Sequence, residues 1–205
     1  MVKILLVEDQ ILIRDALEHL INEQADMEVI GVTDNASNAL ELCRELKPDL
    51  VLMEVVTEDY TNGISWAGQI RQEIPEIKIV VMTALPEITF IAEARKAGVH
   101  SYIKKNSGNE HLFYTIHSTM NGLGIYPGPD KYSHFAIQFT EKEITIIRLA
   151  CQGKTRGEMS KELGMSESMI KPIITSILDK TGFDSIMKFA IYAVGLGLIV
   201  PDRYV

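Results

Sequence analysis

Lys3-Ile-Leu-Leu-Val-Glu-Asp-Gln10 is a short apolar run that stops on two acids. Four consecutive apolar residues bounded by polar ones suit a strand buried on both faces better than a helix. Three more runs repeat the design. Leu50–Val55 (LVLMEV) carries Glu54, Lys78–Met82 (KIVVM) runs into Thr83, and Ser101–Ile103 runs into Lys104 and Lys105. Glu28–Val32 (EVIGV) is the remaining strand candidate. Glu8, Asp9, Glu54, Thr83 and Lys105 thus fall at or next to strand ends.

The segments between these runs have helical spacing. In the first, Ile11, Leu12, Asp15, Ala16, Leu17, Leu20 and Ile21 set a stripe expected to face a core. The others run roughly over 35–46, 64–73, 87–97 and 109–120, with Gly98 as a helix stop and Pro48 and Pro75 in helix-to-strand loops. Alternating strands and helices predict an α/β fold, a doubly wound five-stranded parallel sheet. Ligands in such sheets bind beyond the carboxyl ends of the strands, so the five residues are expected in one pocket. Clustered carboxylates repel unless a cation neutralises them, and hard oxygens suit Mg²⁺. A lysine and a hydroxyl nearby can stabilise a phosphoryl oxygen.

The 205 residues have room for one or two cores, and the net charge of −8 is unevenly spread. Residues 1–133 carry 11 Lys+Arg against 20 Asp+Glu, a net of −9, whereas residues 134–205 carry 9 against 8, a net of +1. That asymmetry predicts two units with different partners. The boundary is Asn121–Tyr132 (NGLGIYPGPDKY), which has three Gly, two Pro and no periodicity. The expected division is 1–120, a linker over 121–138, and 139–205. No apolar stretch reaches bilayer length, the opening run is too short for a signal peptide, and Cys43 and Cys151 read as lone reduced thiols. A cytoplasmic protein without membrane contact is the expectation.

From Thr140 onward every apolar pattern is helical. Thr140 and Glu143 form a capping box for a helix over Ile144, Ile147 and Leu149 that Gly153 ends. Thr155 caps a second helix with Met159 and Leu163, stopped by Gly164. Ser166 or Ser168 caps a third, with Ile170, Ile174 and Ile177 inward, and a fourth spans Ile186–Val194. The short Gly164–Ser166 turn has helix-turn-helix spacing, so a small all-α four-helix unit is expected. Ser168, Lys171 and Thr175 share one face of the third helix, which suits a major groove.

These elements together resemble a known family. LLVEDQ, PDLVLME, VVMTA and SYIKK, in this order and spacing, resemble the receiver domain of two-component response regulators, with its flavodoxin-like sheet. FTEKE with GKTRGEMSKELGMSESMIKPIITSILDKTGF resembles the LuxR-type DNA-binding domain, so nearly the whole chain looks like the NarL/FixJ class. The resemblance implies that Glu8 and Asp9 hold Mg²⁺, that position 54 is the phosphoacceptor and a further metal contact, and that Thr83 and Lys105 touch the phosphoryl group. Tyr102 matches its aromatic switch position. Thr155 and Arg156 match phosphate-contacting positions, and Ser168, Lys171, Thr175 and Lys180 complete the implied DNA-binding set. The implied partners are DNA, a second copy of the chain and, were position 54 an aspartate, a sensor histidine kinase. Met187, Ala190, Ile191 and Val194 of the last helix are candidates for the homodimer contact.

The chain also departs from that family. Glu54 stands where an aspartate is expected, and its carboxylate reaches about 1.5 Å further. This disfavours phosphotransfer, weakens Mg²⁺ binding and puts permanent negative charge near the phosphoryl position, in an atypical receiver or in an activated mimic of an ordinary one. The loop after it, VVTEDYTNG, is one residue longer than usual and brings Glu58 and Asp59. Ile173 replaces a usual histidine, and Pro172 sits early in the recognition helix. It costs little if Ser168 is the cap, and one hydrogen bond if Ser166 is. The expectation is a non-enzymatic transcription regulator. The alternative is a pseudo-receiver interaction protein whose helical unit no longer binds DNA. A Mg²⁺ phosphohydrolase lacks its second acid, because Gln10 follows Asp9, and a nicotinamide enzyme lacks its glycine-rich loop.

Overall fold

A computed structural model describes residues 1–85, 89–128 and 139–199. The chain divides into two compact units, one of residues 1–84 and 90–128, the other holding the helices from 141 onward. Among the described residues no helix is long and apolar enough to cross a membrane.

In the first unit the strands are β1 (Val2–Val7), β2 (Met27–Thr33), β3 (Leu50–Glu54), β6 (Lys78–Thr83) and β7 (Ser101–Lys104). They form one parallel sheet in the order β2-β1-β3-β6-β7, so the fold class is the one the alternation predicted. Its helices are α1 (Ile11–Asn22), α2 (Ala39–Leu46), α3 (Gly63–Glu73), α4 (Phe90–Lys96) and α5 (Asn109–Met120). The period of two along each strand divides the core. Ile4, Leu6, Leu50, Leu52, Val80 and Met82 pack with Ile21, Leu112 and Ile116 of α1 and α5. Leu5, Val7, Val51, Met53, Ile79 and Val81 are equally buried and point to the opposite face.

Three expectations need correction here. Ile11 (62% exposed) and Leu12 (86%) do not face the core, and neither do Asp15 and Ala16. Ile11 and Leu12 lie on the outer side of the first turn, where they have nothing to pack on; Leu17, Leu20 and Ile21 with Ile13 make the inward stripe. The second helical segment begins as a 3₁₀ turn over Ala36–Asn38, capped by the Asn35 side chain, before α2. Residues 121–128, expected as linker, pack with the first unit, while linker residues 129–138 and the start of the fourth helical segment (87–88) lie outside the described residues.

The loop after Glu54 forms a small antiparallel pair, β4 (Val56–Thr57) with β5 (Thr61–Asn62). Gly63 makes this possible, because a Cβ there would lie 2.0 Å from the Glu54 carbonyl oxygen.

The second unit contains α6 (Glu141–Cys151), α7 (Arg156–Leu163), α8 (Glu167–Thr181) and α9 (Ile186–Gly195). Its core gathers Ile146, Ile147, Leu149, Met159, Ile170, Ile177, Phe189 and Ala193. The predicted capping box of Thr140 with Glu143 forms, and Thr155, expected as a cap, does cap its helix and makes a second box with Glu158. Ser166 is the cap of α8, so Pro172 is interior and α8 lacks one hydrogen bond.

Candidate functional site

The sheet's carboxyl edge gathers the acids and the lysine expected there. Glu8 follows β1 and is fully buried; Glu54 ends β3 and is 4% exposed. The ammonium of Lys105, just past β7, lies 2.6 Å from Glu8 Oε2 and also contacts Glu54 Oε2. The remaining carboxylate oxygens turn to backbone. Glu54 Oε1 accepts from Val55 N–H (2.8 Å), and Glu8 Oε1 accepts from Gln10 N–H (3.3 Å). One buried cation therefore bridges two buried carboxylates. Burial disfavours both charged forms. It pushes the Glu8 carboxyl up, against the pull of Lys105. For Lys105 burial works toward neutrality, but the Glu54 and Glu8 carboxylates outweigh it and hold the ammonium above its ordinary value.

The other predicted pocket residues stand differently. Asp9 is half-buried beside Glu8. Thr83 ends β6, buried, in register with Lys104. Tyr102 is 2% exposed, its ring stacked at 6.4 Å on Tyr126 rather than turned to solvent. Glu8, Asp9 and Glu54 are of the hard-oxygen type that Mg²⁺ takes. As arranged they do not fit it: the two buried carboxylates are committed to Lys105 and to backbone N–H groups, and among the described residues no three His, Cys, Asp or Glu side chains converge on a metal position.

In the second unit Thr155, Arg156, Ser168, Lys171 and Thr175 are all exposed on α7 and α8. Lys171 and Thr175 line a shallow concavity with Pro172, Ser176 and Asp179. Arg156 Nε donates to Glu167 at 2.8 Å, and the Thr155 hydroxyl is engaged in its capping box. Lys180 points the other way. Its ammonium donates to both Glu143 oxygens at 2.7 Å, so it ties α8 to α6. Sequence reasoning placed it on the DNA-binding set because helical spacing does not show where a long side chain ends. Burial opposes the Glu143 charge, but Lys180, the Thr140 N–H and the Ser176 hydroxyl prevail and hold its carboxyl down at about 2.

The comparisons with known proteins agree with this architecture. Residues 4–117 match the response regulator receiver domain family. The response regulator protein VraR of Staphylococcus aureus is 27% identical over 208 aligned positions, covering 97% of this chain and 99% of that protein. Among solved structures, a LuxR-family two-component response regulator from Aurantimonas sp. is 27% identical over 61% of this chain and 89% of its own, with a TM-score of 0.58. RcsB, in a structure of two dimers bound to two parallel DNAs, superposes over 94% of this chain and 98% of its own with a TM-score of 0.68; at 15% identity it speaks for the fold alone. With more than half its length matched by the receiver family, this chain belongs to the response regulators.

Proposed function

We propose that this chain is a DNA-binding transcription regulator whose receiver is held in one state by an internal ion pair. The observation that carries the reading is the Lys105 ammonium bridging Glu8 and Glu54. In the phosphorylated form of a receiver, a lysine at this place would meet a negatively charged oxygen on the acceptor side chain. Here Glu54 supplies that oxygen permanently, its reach longer than an aspartate's by about one bond of 1.5 Å. The Val55 N–H fixes the other oxygen, so the carboxylate is not presented for attack on a phosphoryl donor.

The second unit supports the output half. Its α7–Gly164–α8 turn is a helix-turn-helix with Gly164 left-handed at φ +61, and it exposes Ser168, Lys171 and Thr175 on one face. The DNA in the RcsB structure is bound by those dimers; in this chain α8, as the second helix of the turn, is the element that would meet a major groove. Dimerisation is proposed through α9, where Met187 (40% exposed), Ile191 (68%) and Val194 (41%) stand outside the core. Ala190, grouped with them in the sequence, is buried and belongs to the core.

The alternative, an interaction protein without DNA contacts, draws support from one fact. Lys154, Arg156, Lys180 and Lys188 each pair with an acid of their own unit. Light scattering on this chain and on Glu54→Asp, with Mg²⁺ and with or without beryllofluoride, tests the receiver half. A dimeric parent beside a variant that dimerises only with beryllofluoride is expected. A parent that is monomeric while the variant responds would make Glu54 a dead acceptor and overturn the fixed-state reading. Salt-sensitive retention on DNA is expected of the regulator and not of the alternative.

A further inference from the structure

Arg156 is the first residue of α7 and Glu167 the first of α8, so the two helices of the turn open on opposite charges. For Glu167 this follows the local rule, since an acid suits a helix N-terminus; for Arg156 it runs against that rule. The two are joined. Arg156 Nε donates to Glu167 Oε2 at 2.8 Å, and about half of each side chain is exposed. An exposed pair of this kind adds little to stability, so folding alone does not account for a cation at the disfavoured end of α7.

The platform under the pair is fixed. Met165 N–H donates to Ser160 O at 3.1 Å and the Ser160 hydroxyl donates to Met165 O, which ties the turn back onto α7. Gly157 leaves the second carboxylate oxygen open, because a Cβ there would lie 3.4 Å from Glu167 Oε1 and a larger side chain would crowd it. Among the described residues Oε1 meets no hydrogen-bond donor, and the terminal nitrogens of Arg156 meet no acceptor. The start of α8 thus presents an open acceptor beside open donors.

In a helix-turn-helix the first residues of the second helix meet base edges. An acceptor beside donors is the complement of a C·G pair, whose major-groove edge sets the cytosine N4 amino donor beside the guanine O6 and N7 acceptors. At A·T the amino donor lies between two acceptors, so a carboxylate aimed at it is repelled from either side. We propose that Glu167 and Arg156 together determine the sequence specificity of this chain at one base pair, Glu167 accepting from cytosine N4 and Arg156 donating to the paired guanine. The ion pair stays intact in the complex, and the guanidinium offsets the repulsion between the carboxylate and the DNA phosphates. This rests on the reading of the second unit as DNA-binding, and it moves Arg156 from the phosphates to a base edge.

Selection from a randomised duplex pool by the full chain at low salt, with sequencing of the bound fraction, tests it. In the site recovered by the parent, one position is expected to be C·G by at least about fivefold over any other pair. Glu167→Gln should exchange that preference for A·T, because a glutamine amide pairs with adenine N6 and N7, and should leave the other positions as they were. A gained preference cannot come from a damaged fold. Arg156→Ala should weaken the preference at the same position only. An unchanged site in Glu167→Gln, or a loss spread evenly over all positions, would overturn the proposal and leave a surface ion pair. A parent that binds duplexes without preference would also overturn it while the regulator reading stands. A parent that binds no duplex would remove the regulator reading, and this inference with it.

Discussion

Lys105 is the residue on which the charge balance of the sheet's carboxyl edge turns. Its ammonium is the counter-charge for two buried carboxylates, and removing one partner from such a group leaves uncompensated buried charge. Lys105→Met should therefore destabilise the first unit by roughly 3 kcal/mol. Urea unfolding followed by the single tryptophan, Trp66 on α3, would measure it. Mg²⁺ should recover part of that loss in the variant and add little to the parent, whose carboxylates Lys105 already occupies. Glu143 plays a comparable part in the second unit, where Lys180, Ser176 and Thr140 converge on it. Its folded pKa of about 2 lies below the usual 4.5, so the stability it gives is present above pH 4.5 and lost as pH falls toward 2. Glu143→Gln should cost of order 2 kcal/mol at neutral pH, and the gap between parent and variant should close across that acid range. A gap independent of pH would mean that the cap's geometry matters and its charge does not.

At the scale of the element, two positions carry a visible conflict between local rule and structure. Pro172 is the sixth residue of α8 and cannot donate to the Ser168 carbonyl. Pro172→Ala should restore that bond and stabilise the second unit by roughly 1–3 kcal/mol, read from its shift in denaturation midpoint. A destabilised variant would show that α8 needs the proline's shape. Gly63 is the opposite case. The 2.0 Å approach to the Glu54 carbonyl leaves no room for a methyl group, and Gly63→Ala should displace the β4–β5 pair together with the carboxylate it backs. His100 shows how an element end can depend on a neutral ring. Its Nδ1 accepts from Ile79 N–H, and burial, with Arg71 and Lys78 nearby, lowers its pKa to about 4. The contribution is full above pH 6.5 and fades as pH falls toward 4.

For the whole molecule the charge distribution sets the terms of any contact with DNA. The second part carries a net of only +1, and four of its cations already face acids of the same unit. Binding must break or share those pairs, so few counterions are released per chain. The slope of log Kobs against log salt should accordingly be shallower than about −5 for a dimer, measured by fluorescence anisotropy at several salt concentrations. A steeper slope would mean that the paired cations swing out to phosphate.

The apolar runs determined by themselves which segments are strands, and their alternation with helical stripes determined a parallel sheet, because a segment buried on both faces has few other places to go. From that order alone Glu8, Glu54 and Lys105 could be assigned to one edge. The caps at Thr140 and Thr155 were equally legible, since a cap is a contact between residues three apart. What tertiary structure decided depends on partners distant in the chain. That Lys105 bridges Glu8 and Glu54, that Lys180 turns inward to Glu143, that Ile11 and Leu12 meet no core, and that the apparent linker from 121 to 128 is fastened to β7 are all settled by where a second element lies. Sequence spacing fixes the direction in which a side chain starts, and only the packed fold fixes what it reaches.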